Sequence, residues 1–362
     1  MKKIIYFLTT ILIISCSNES IDINANYTPF HVYGKILAPN GVDPISKGKI
    51  SIISNESVVQ NFYSNSTGEF SFFLNYGEYN VIFSKGLFKS ESTVSLVENS
   101  DSFSFDFGDI IFGQIPNIGV VTGHYDNIQS ILHDIGLVDN DGDPLFDIID
   151  GVNFRNQNNK LNHQHHYDRN KLKTTDIETN VNFNFSDLIN NESLLSEYDI
   201  LFLNCGLNTD EAETSEALYN FVSNGGILYA TDWAYPFLEK INEIYGNEFL
   251  TFHQPYKSGQ SLSTEANILS SELNDWLSIN FNLTIENTVV IDEFLNAWQV
   301  VDSYDADSVI AWLDGDVEYI DENGELVDSN KELAFTYSVG DGGVFYSSFH
   351  TENNEDGFSC VD

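Results

Sequence analysis

Basic residues are scarce in this chain. Fifteen Lys and Arg stand against 55 Asp and Glu in 362 residues, a formal net charge of −40. Most roles that neutralise phosphates, on nucleic acid or on an anionic membrane surface, need clustered Lys and Arg and are excluded. Cysteine is nearly absent, with three residues, so no disulfide framework holds the fold. Proline numbers seven and methionine one, which leaves little Pro-rich linker or Met-rich surface. Long apolar runs are missing except at the N-terminus. What the chain has is 42% hydrophobic and 14% aromatic residues over a length that suits two domains. A large acid excess suits a solvated surface and leaves metal ions and neutral or cationic ligands as partners.

The apolar run Ile4–Ile14 follows Lys2 and Lys3. Its length of about eleven residues falls short of the roughly 20 that span a bilayer as a helix. It reads as the core of a signal peptide over residues 1–15. It ends Ile13-Ile14-Ser15-Cys16, which resembles a bacterial lipobox. The resemblance implies cleavage before Cys16, lipidation of its thiol and membrane attachment through the acyl chains. The following Ser17-Asn18-Glu19-Ser20-Ile21-Asp22 resembles the surface-export signal of Bacteroidota lipoproteins. It implies an outer-membrane lipoprotein facing outward, with a periplasm-facing location as the alternative. Residues 16–28 form the linker from the anchor.

Residues 29–112 read as an all-β module. Phe70, Phe72 and Leu74 alternate with Ser71, Phe73 and Asn75, and Tyr79, Val81 and Phe83 repeat the period of two. About seven such strands at this spacing predict a β-sandwich. Val32-x-Gly34, Pro44-Ile45-x-Lys47-Gly48-x-Ile50-x-Ile52, Thr67-Gly68-Glu69-Phe70-Ser71-Phe72 and Leu74-x-x-Gly77-x-Tyr79-x-Val81 resemble the carboxypeptidase regulatory-like (transthyretin-like) domain over about 80 residues. In that family the module is a spacer or docking unit. With no Cys, one His and no acidic cluster here, it is assigned no chemistry.

Residues 115–362 alternate strands with helices, which predicts right-handed βαβ units and a parallel sheet. Ile118–Val121, Phe146–Gly151, Asp199–Leu203 and Ile227–Thr231 are the first strands, and Val309–Leu313, Leu333–Tyr337 and Val344–Phe349 the late ones. Helical stripes run through Ile128, Ile131, Leu132 and Ile135, through Leu218, Phe221 and Val222, and through Phe237, Leu238, Ile241 and Ile244. A polar insert occupies about 151–197, and the acidic stretch Asp314–Asp328 reads as exposed loops around a hairpin. Tyr198-Asp199-Ile200-Leu201-Phe202-Leu203-Asn204-Cys205-Gly206, Leu218-x-x-Phe221-Val222-x-x-Gly225-Gly226-Ile227-Leu228-Tyr229 and Gly343–Glu352 resemble the class I glutamine amidotransferase-like (flavodoxin-like) superfamily, ThuA-like relatives included. The fold class so expected is multi-domain, a β-sandwich followed by a flavodoxin-like α/β sheet.

In amidotransferases of that class a Cys at a strand-to-helix elbow works with a His-x-Glu after a late strand. Phe349-His350-x-Glu352 matches the second part, but the elbow after Thr231 holds Asp232. Cys205 stands one strand too early for the nucleophile, so Cys-dependent glutamine hydrolysis is not expected. Parallel sheets bind ligands at the carboxyl ends of their strands. The candidates there are His124, Tyr125, Asp126, Asn204, Cys205, Trp233 and Tyr235 for ligand contacts, and Asp232, His350 and Glu352 for catalysis. Two His and several acids converging at those ends suit an acid–base pair or a metal site. Asp232 is equally placed to cap the following helix. Trp233 and Tyr235 are placed to stack on a sugar ring or to pack.

Two further patterns bear on metals. Asp139-Asn140-Asp141-Gly142-Asp143, with Asp147 and Asp150 beyond, resembles a calcium loop and makes Asp139, Asp141 and Asp143 candidate Ca²⁺ ligands. Its Gly stands at position 4 rather than 6, and Pro144 follows. His163-Gln164-His165-His166 lies in the insert, as a metal cluster or a solvated loop that lids the strand ends. Cys205 and Cys360 are potential disulfide partners. The expectation drawn first is an envelope lipoprotein whose degenerate amidotransferase-like domain binds a small polar or carbohydrate ligand, with the β-module as spacer. The second is a hydrolase using Asp232 and His350, metal-assisted or not. The third is a structural subunit held by an outer-membrane protein partner.

Overall fold

The computed structural model describes residues 29–97, 103–134, 136–139, 142–152, 181–207, 211–271, 273–274, 277 and 287–350. Cys16, Asp141, His163–His166, Glu352 and Cys360 lie outside them, and with them the lipidation, the His cluster, the His-x-Glu pair and the Cys205–Cys360 disulfide. Strand makes up 49% and helix 16% of the described residues, which are β-rich with several sheets.

The first seven strands form two sheets. Strands β1 (Phe30–Leu37), β4 (Glu69–Leu74) and β7 (Ser104–Ile111) make one, in the order β4-β1-β7. Strands β2 (Lys49–Ser54), β3 (Ser57–Tyr63), β5 (Gly77–Lys85) and β6 (Phe88–Leu96) make the other, in the order β3-β2-β5-β6. The predicted alternation along β4 is realised residue by residue: Phe70, Phe72 and Leu74 are buried while Ser71 and Phe73 are exposed. Side chains from both sheets share one core through Val32, Ile36, Ile50, Ile52, Phe72 and Phe83. Gly68, at φ +76° with Ile36 O 2.5 Å from where a Cβ would stand, is held to glycine both by its conformation and by that close approach.

The second part is dominated by one ten-stranded sheet. Its strands are β8 (Ile118–Val121), β9 (Asp147–Asp150), β10 (Val181–Asn184), β11 (Ile200–Leu203), β12 (Ile227–Thr231), β14 (Leu262–Ile268), β15 (Thr288–Phe294), β17 (Val309–Ile320), β18 (Leu326–Val339) and β19 (Gly342–Ser347). They lie in the order β10-β9-β8-β11-β12-β19-β18-β17-β14-β15. The first six of that order pair in parallel, and the remaining four join through antiparallel pairs. A separate pair, β13 (Leu250–Phe252) and β16 (Val301–Tyr304), is antiparallel. The helices are α1 (Ile128–Asp134), α2 (Phe185–Ile189), α3 (Glu192–Leu195), α4 (Glu211–Ser223) and α5 (Tyr235–Tyr245). The parallel strands are apolar runs such as Ile118-Gly119-Val120-Val121, buried at every position as a covered parallel sheet requires.

Three expectations are corrected. Of the late strands, β19 joins the parallel sheet beside β12 as expected, whereas β17 and β18 are an antiparallel extension of it. The stretch Asp314–Asp328 is largely strand rather than loop, because Leu313, Val317 and Tyr319 are buried at alternate positions while the acids between them face outward. The insert is shorter than 151–197, since β10, α2 and α3 lie within it and bury Phe185, Leu188, Ile189 and Leu195. Among the described residues no helix is long and apolar enough to cross a membrane.

Candidate functional site

The strand order reverses direction at β8 and β11. From β8 the chain proceeds outward to β9 and β10, and from β11 it proceeds the other way to β12 and β19. A crevice belongs between the loops that follow these two strands. Here the loops are laced together. Tyr125 N donates to Cys205 O at 3.2 Å and His124 N to Gly206 O at 3.3 Å. Cys205 N donates to Asp126 Oδ2 at 2.9 Å, and the Thr231 hydroxyl donates to the same oxygen. Asn204 Nδ2 donates to Gln129 Oε1 at 3.0 Å. A Cβ on Gly123 would stand 2.0 Å from Cys205 O, so only glycine lets the two loops approach. Buried Asp126 and Asn204, expected to contact a ligand, instead join the loops to each other.

The reactive side chains meet one strand further on. Cys205 follows β11, Asp232 follows β12, and His350 follows β19. Neighbouring parallel strands therefore deliver a thiol, a carboxylate and an imidazole to one place. His350 Nε2 lies 3.2 Å from Asp232 Oδ2 and 3.0 Å from Cys205 Sγ, and that sulfur lies 3.7 Å from Asp232 Oδ2. Asp232 and Cys205 are fully buried, and the His350 side chain keeps 5% of its exposure.

Asp232 does not cap the helix that follows. Its Oδ1 accepts from Gln299 N at 2.6 Å, and its carbonyl accepts from the Tyr346 hydroxyl at 3.3 Å. Its φ is +35°, a left-handed backbone that a non-glycine residue adopts at a cost. Burial pushes its carboxyl up from the ordinary value. Hydrogen bonding and charge from His350, then the Gln299 amide, pull it back, and the Asp126 carboxylate pushes it up again.

Gln299 had no signal in the sequence, because its contribution to the centre is a backbone amide. Its buried side chain fixes that amide: Oε1 accepts from Lys257 N at 2.7 Å, and Nε2 donates to the carbonyls of His253 and Val300 at 3.1 and 3.0 Å. Cys205 had a weak signal, being placed among ligand-contact residues while its thiol was set aside by strand position. The structure brings that thiol against the imidazole.

The aromatic candidates are occupied by the protein. Tyr235 is buried, with ring centroids 5.0 Å from Phe252 and 5.2 Å from Tyr256, so it is not a platform for a sugar. Trp233 meets the edge of Tyr125 at 5.1 Å, donates Nε1 to Ala297 O at 2.8 Å, and carries the Lys257 ammonium 3.7 Å above its ring. His350 also forms part of the wall of an apolar cavity of about 660 Å³, with Ile131, Trp312, Phe345 and Phe349.

The calcium-loop acids are engaged locally. Asp139 Oδ1 accepts from Asp143 N at 2.9 Å, closing a tight turn. Asp147 Oδ2 accepts from the Tyr198 hydroxyl at 2.7 Å, and Asp150 Oδ1 from Val152 N at 3.1 Å. Among the described residues the acids of 139–150 form no group of three cation ligands; Cys205, Asp232 and His350 do, with ligand atoms within 4.8 Å of one another.

No known protein-family pattern matches the sequence, and no curated protein does. Solved structures give remote likenesses. A ThuA-like protein from Bacteroides uniformis is 16% identical, at TM-score 0.38, over 68% of this chain and 86% of that one. A ThuA-like protein from Parabacteroides merdae is 12% identical, at TM-score 0.37, over 65% of this chain and 79% of that one. A cytoplasmic protein from Salmonella typhimurium is 12% identical, at TM-score 0.32, over 75% of this chain and 83% of that one. Likenesses this distant say nothing about activity.

Proposed function

We propose that the chain is a hydrolase of the cell envelope whose reacting centre is the Asp232–His350 pair with Cys205 beside it. One observation carries the reading: the His350 imidazole nitrogen stands within hydrogen-bonding reach of the Asp232 carboxylate at 3.2 Å. A base must reach the proton it moves, and its partner must hold it in place. Asp232 meets the second requirement, because Gln299 N fixes one of its oxygens while the other faces the imidazole and accepts from the Cys205 thiol. The imidazole takes a proton from an attacking group and returns it to the leaving group, and the carboxylate stabilises the charged ring between the two events. The strained backbone at Asp232 is consistent with a residue held in place for chemistry rather than for packing.

The sequence supports the rest of the reading. A flavodoxin-like sheet would carry the centre, the two-sheet module at 29–112 would act as the carboxypeptidase regulatory-like spacer, and lipidated Cys16 would anchor the whole at the outer membrane. Carbohydrate binding as the sole function loses ground, because Tyr235 is buried and both the ring and Nε1 of Trp233 have protein partners.

The test is a panel of ester, amide and glycoside substrates with the purified full chain. Asp232→Asn and His350→Ala each reduce turnover by about 10²–10⁴-fold while the circular dichroism spectrum is retained. Undiminished turnover in His350→Ala refutes the assignment. Cys16→Ala in a bacterial host releases the protein from the membrane fraction; retention in that fraction refutes the anchor.

A further inference from the structure

We propose that Cys205, Asp232 and His350 bind a zinc ion through Sγ, Oδ2 and Nε2, with one coordination position left for water.

The three donor atoms make a triangle of the right size. Their separations are 3.0 Å for nitrogen to sulfur, 3.2 Å for nitrogen to oxygen and 3.7 Å for sulfur to oxygen. Zinc bonds nitrogen and oxygen at about 2.0–2.1 Å and sulfur at about 2.3 Å, so a tetrahedral ion sets its ligands about 3.3 Å apart for N···O and about 3.5 Å apart for pairs with sulfur. Hydrogen bonds also link the triangle: the Cys205 thiol donates to Asp232 Oδ2 at 3.7 Å, and Nε2 faces both the sulfur and the oxygen. One cation replaces those protons and binds all three atoms.

Charge points the same way. Asp232 and Cys205 are fully buried, and the Asp126 carboxylate is 3% exposed and bonded to the Cys205 amide. Buried anions are costly unless paired. A zinc ion bound to one thiolate and one carboxylate is a neutral unit. Binding breaks the S–H bond of Cys205, and the proton leaves to solvent; His350 binds as the neutral ring. The outer shell is also present, since Gln299 N holds the other oxygen of Asp232. A mixed S, O and N donor set selects zinc over calcium or magnesium, which take oxygen.

Three protein ligands and an open position are the catalytic form of a zinc site, in which the bound water becomes acidic enough to attack near neutral pH. That role rests on the hydrolase reading; ion binding does not. With an ion bound, Asp232 Oδ2 and His350 Nε2 would be its ligands in place of the proton-transferring pair, and the ion would supply an activated water.

The test uses the full chain, stripped with a chelator and titrated with zinc against a chromogenic competitor, then with cobalt as a spectroscopic substitute. The expected result is one ion per chain and a strong thiolate-to-cobalt charge-transfer band in the wild-type protein. Cys205→Ser removes the band. Asp232→Asn and His350→Gln weaken zinc by about 100-fold or more, as loss of a ligand exceeds loss of an outer-shell partner. Cys360→Ser and a His163/His165/His166 triple alanine variant keep the band. A wild-type chain without the band, or a band that survives Cys205→Ser, overturns the proposal without recourse to any variant's folding. Band present and turnover absent on the substrate panel refutes the hydrolase and leaves the ion site standing. Turnover present and band absent refutes the ion site alone.

Discussion

Gly123→Ala is the sharpest test of how the site is assembled. Gly123 follows β8, and an added Cβ would stand 2.0 Å from Cys205 O and 2.8 Å from Asn204 O. Both obstacles are backbone atoms, so no side-chain rotation relieves them. Contacts under 3.0 Å do not occur for real Cβ atoms, so one loop must move by about 1 Å. Overpacking of this kind costs about 1–3 kcal/mol. The upper end applies, because the moving loop also carries the Cys205 amide that Asp126 accepts. A loss of about 3 kcal/mol lowers the melting temperature by roughly 6–12 °C for a unit of this size. The control is Gly119→Ala, whose new Cβ would meet Ile149 Cδ1 and Leu201 Cδ2 at 2.8 Å. Those are methyl ends that can shift, and the expected loss is about 1 kcal/mol. Urea unfolding followed by circular dichroism gives both numbers, with unchanged slope as the sign that only stability moved. Gly123→Ala within about 0.5 kcal/mol of wild type, or no worse than Gly119→Ala, refutes the close approach of the two loops.

Three shorter predictions concern the sheet around the site. Val317→Asp places an unpaired charge at a fully buried strand position and destabilises by more than about 4 kcal/mol, while Glu318→Gln beside it stays within about 0.5 kcal/mol; equal effects in urea would return 314–320 to a loop. Tyr198→Phe removes the hydroxyl donor to Asp147 at 2.7 Å and costs about 1.5 kcal/mol, the low end for a charged partner because Asp147 is only half-buried; no loss in a thermal melt discounts that bond. Burial holds Tyr337 and Tyr346 protonated well above the usual tyrosine range. Their folded values are raised, so the stability they contribute is complete below about pH 10 and declines above it, as the unfolded chain ionises first. Phenolate absorbance should show these rings titrating together with unfolding; a smooth titration with the fold intact contradicts their burial.

Much of the architecture was legible because burial writes itself into periodicity. Phe70, Phe72 and Leu74 announced their strand, and the apolar runs at Ile118–Val121 and Ile227–Thr231 announced buried parallel ones. The helix through Ile128 and Leu132 was announced by spacing and its end by Gly136, which takes φ +88°. Pattern failed where composition masked it. Between Asp314 and Ile320 the acids occupy the outward positions of a strand, and their density reads as a solvated loop unless Val317 and Tyr319 are weighed against them. The pairing of Asp232 with His350 followed from their places at strand ends. The third member did not, because superposing Cys205 on another family's strand order set its thiol aside, whereas adjacency of β11 and β12 in this sheet is what places it. Gln299 was out of reach of any reading of side-chain chemistry, as its amide does the bonding.

The junction strand β19 has a consequence for how the molecule is made. It pairs Gly343–Ser347 with Ile227–Thr231 on one side and Ala334–Val339 on the other, and His350 follows it directly. The hairpin side can form as soon as it is synthesised, since its partners are near in sequence. The other side must find a strand more than a hundred residues earlier, a closure that is slow by its chain entropy. Asp232 and Cys205 therefore wait for β19 to dock before either meets the imidazole. A nascent, truncated or partly folded chain carries no assembled centre, so the approach of His350 to Asp232 reports that β19 has docked.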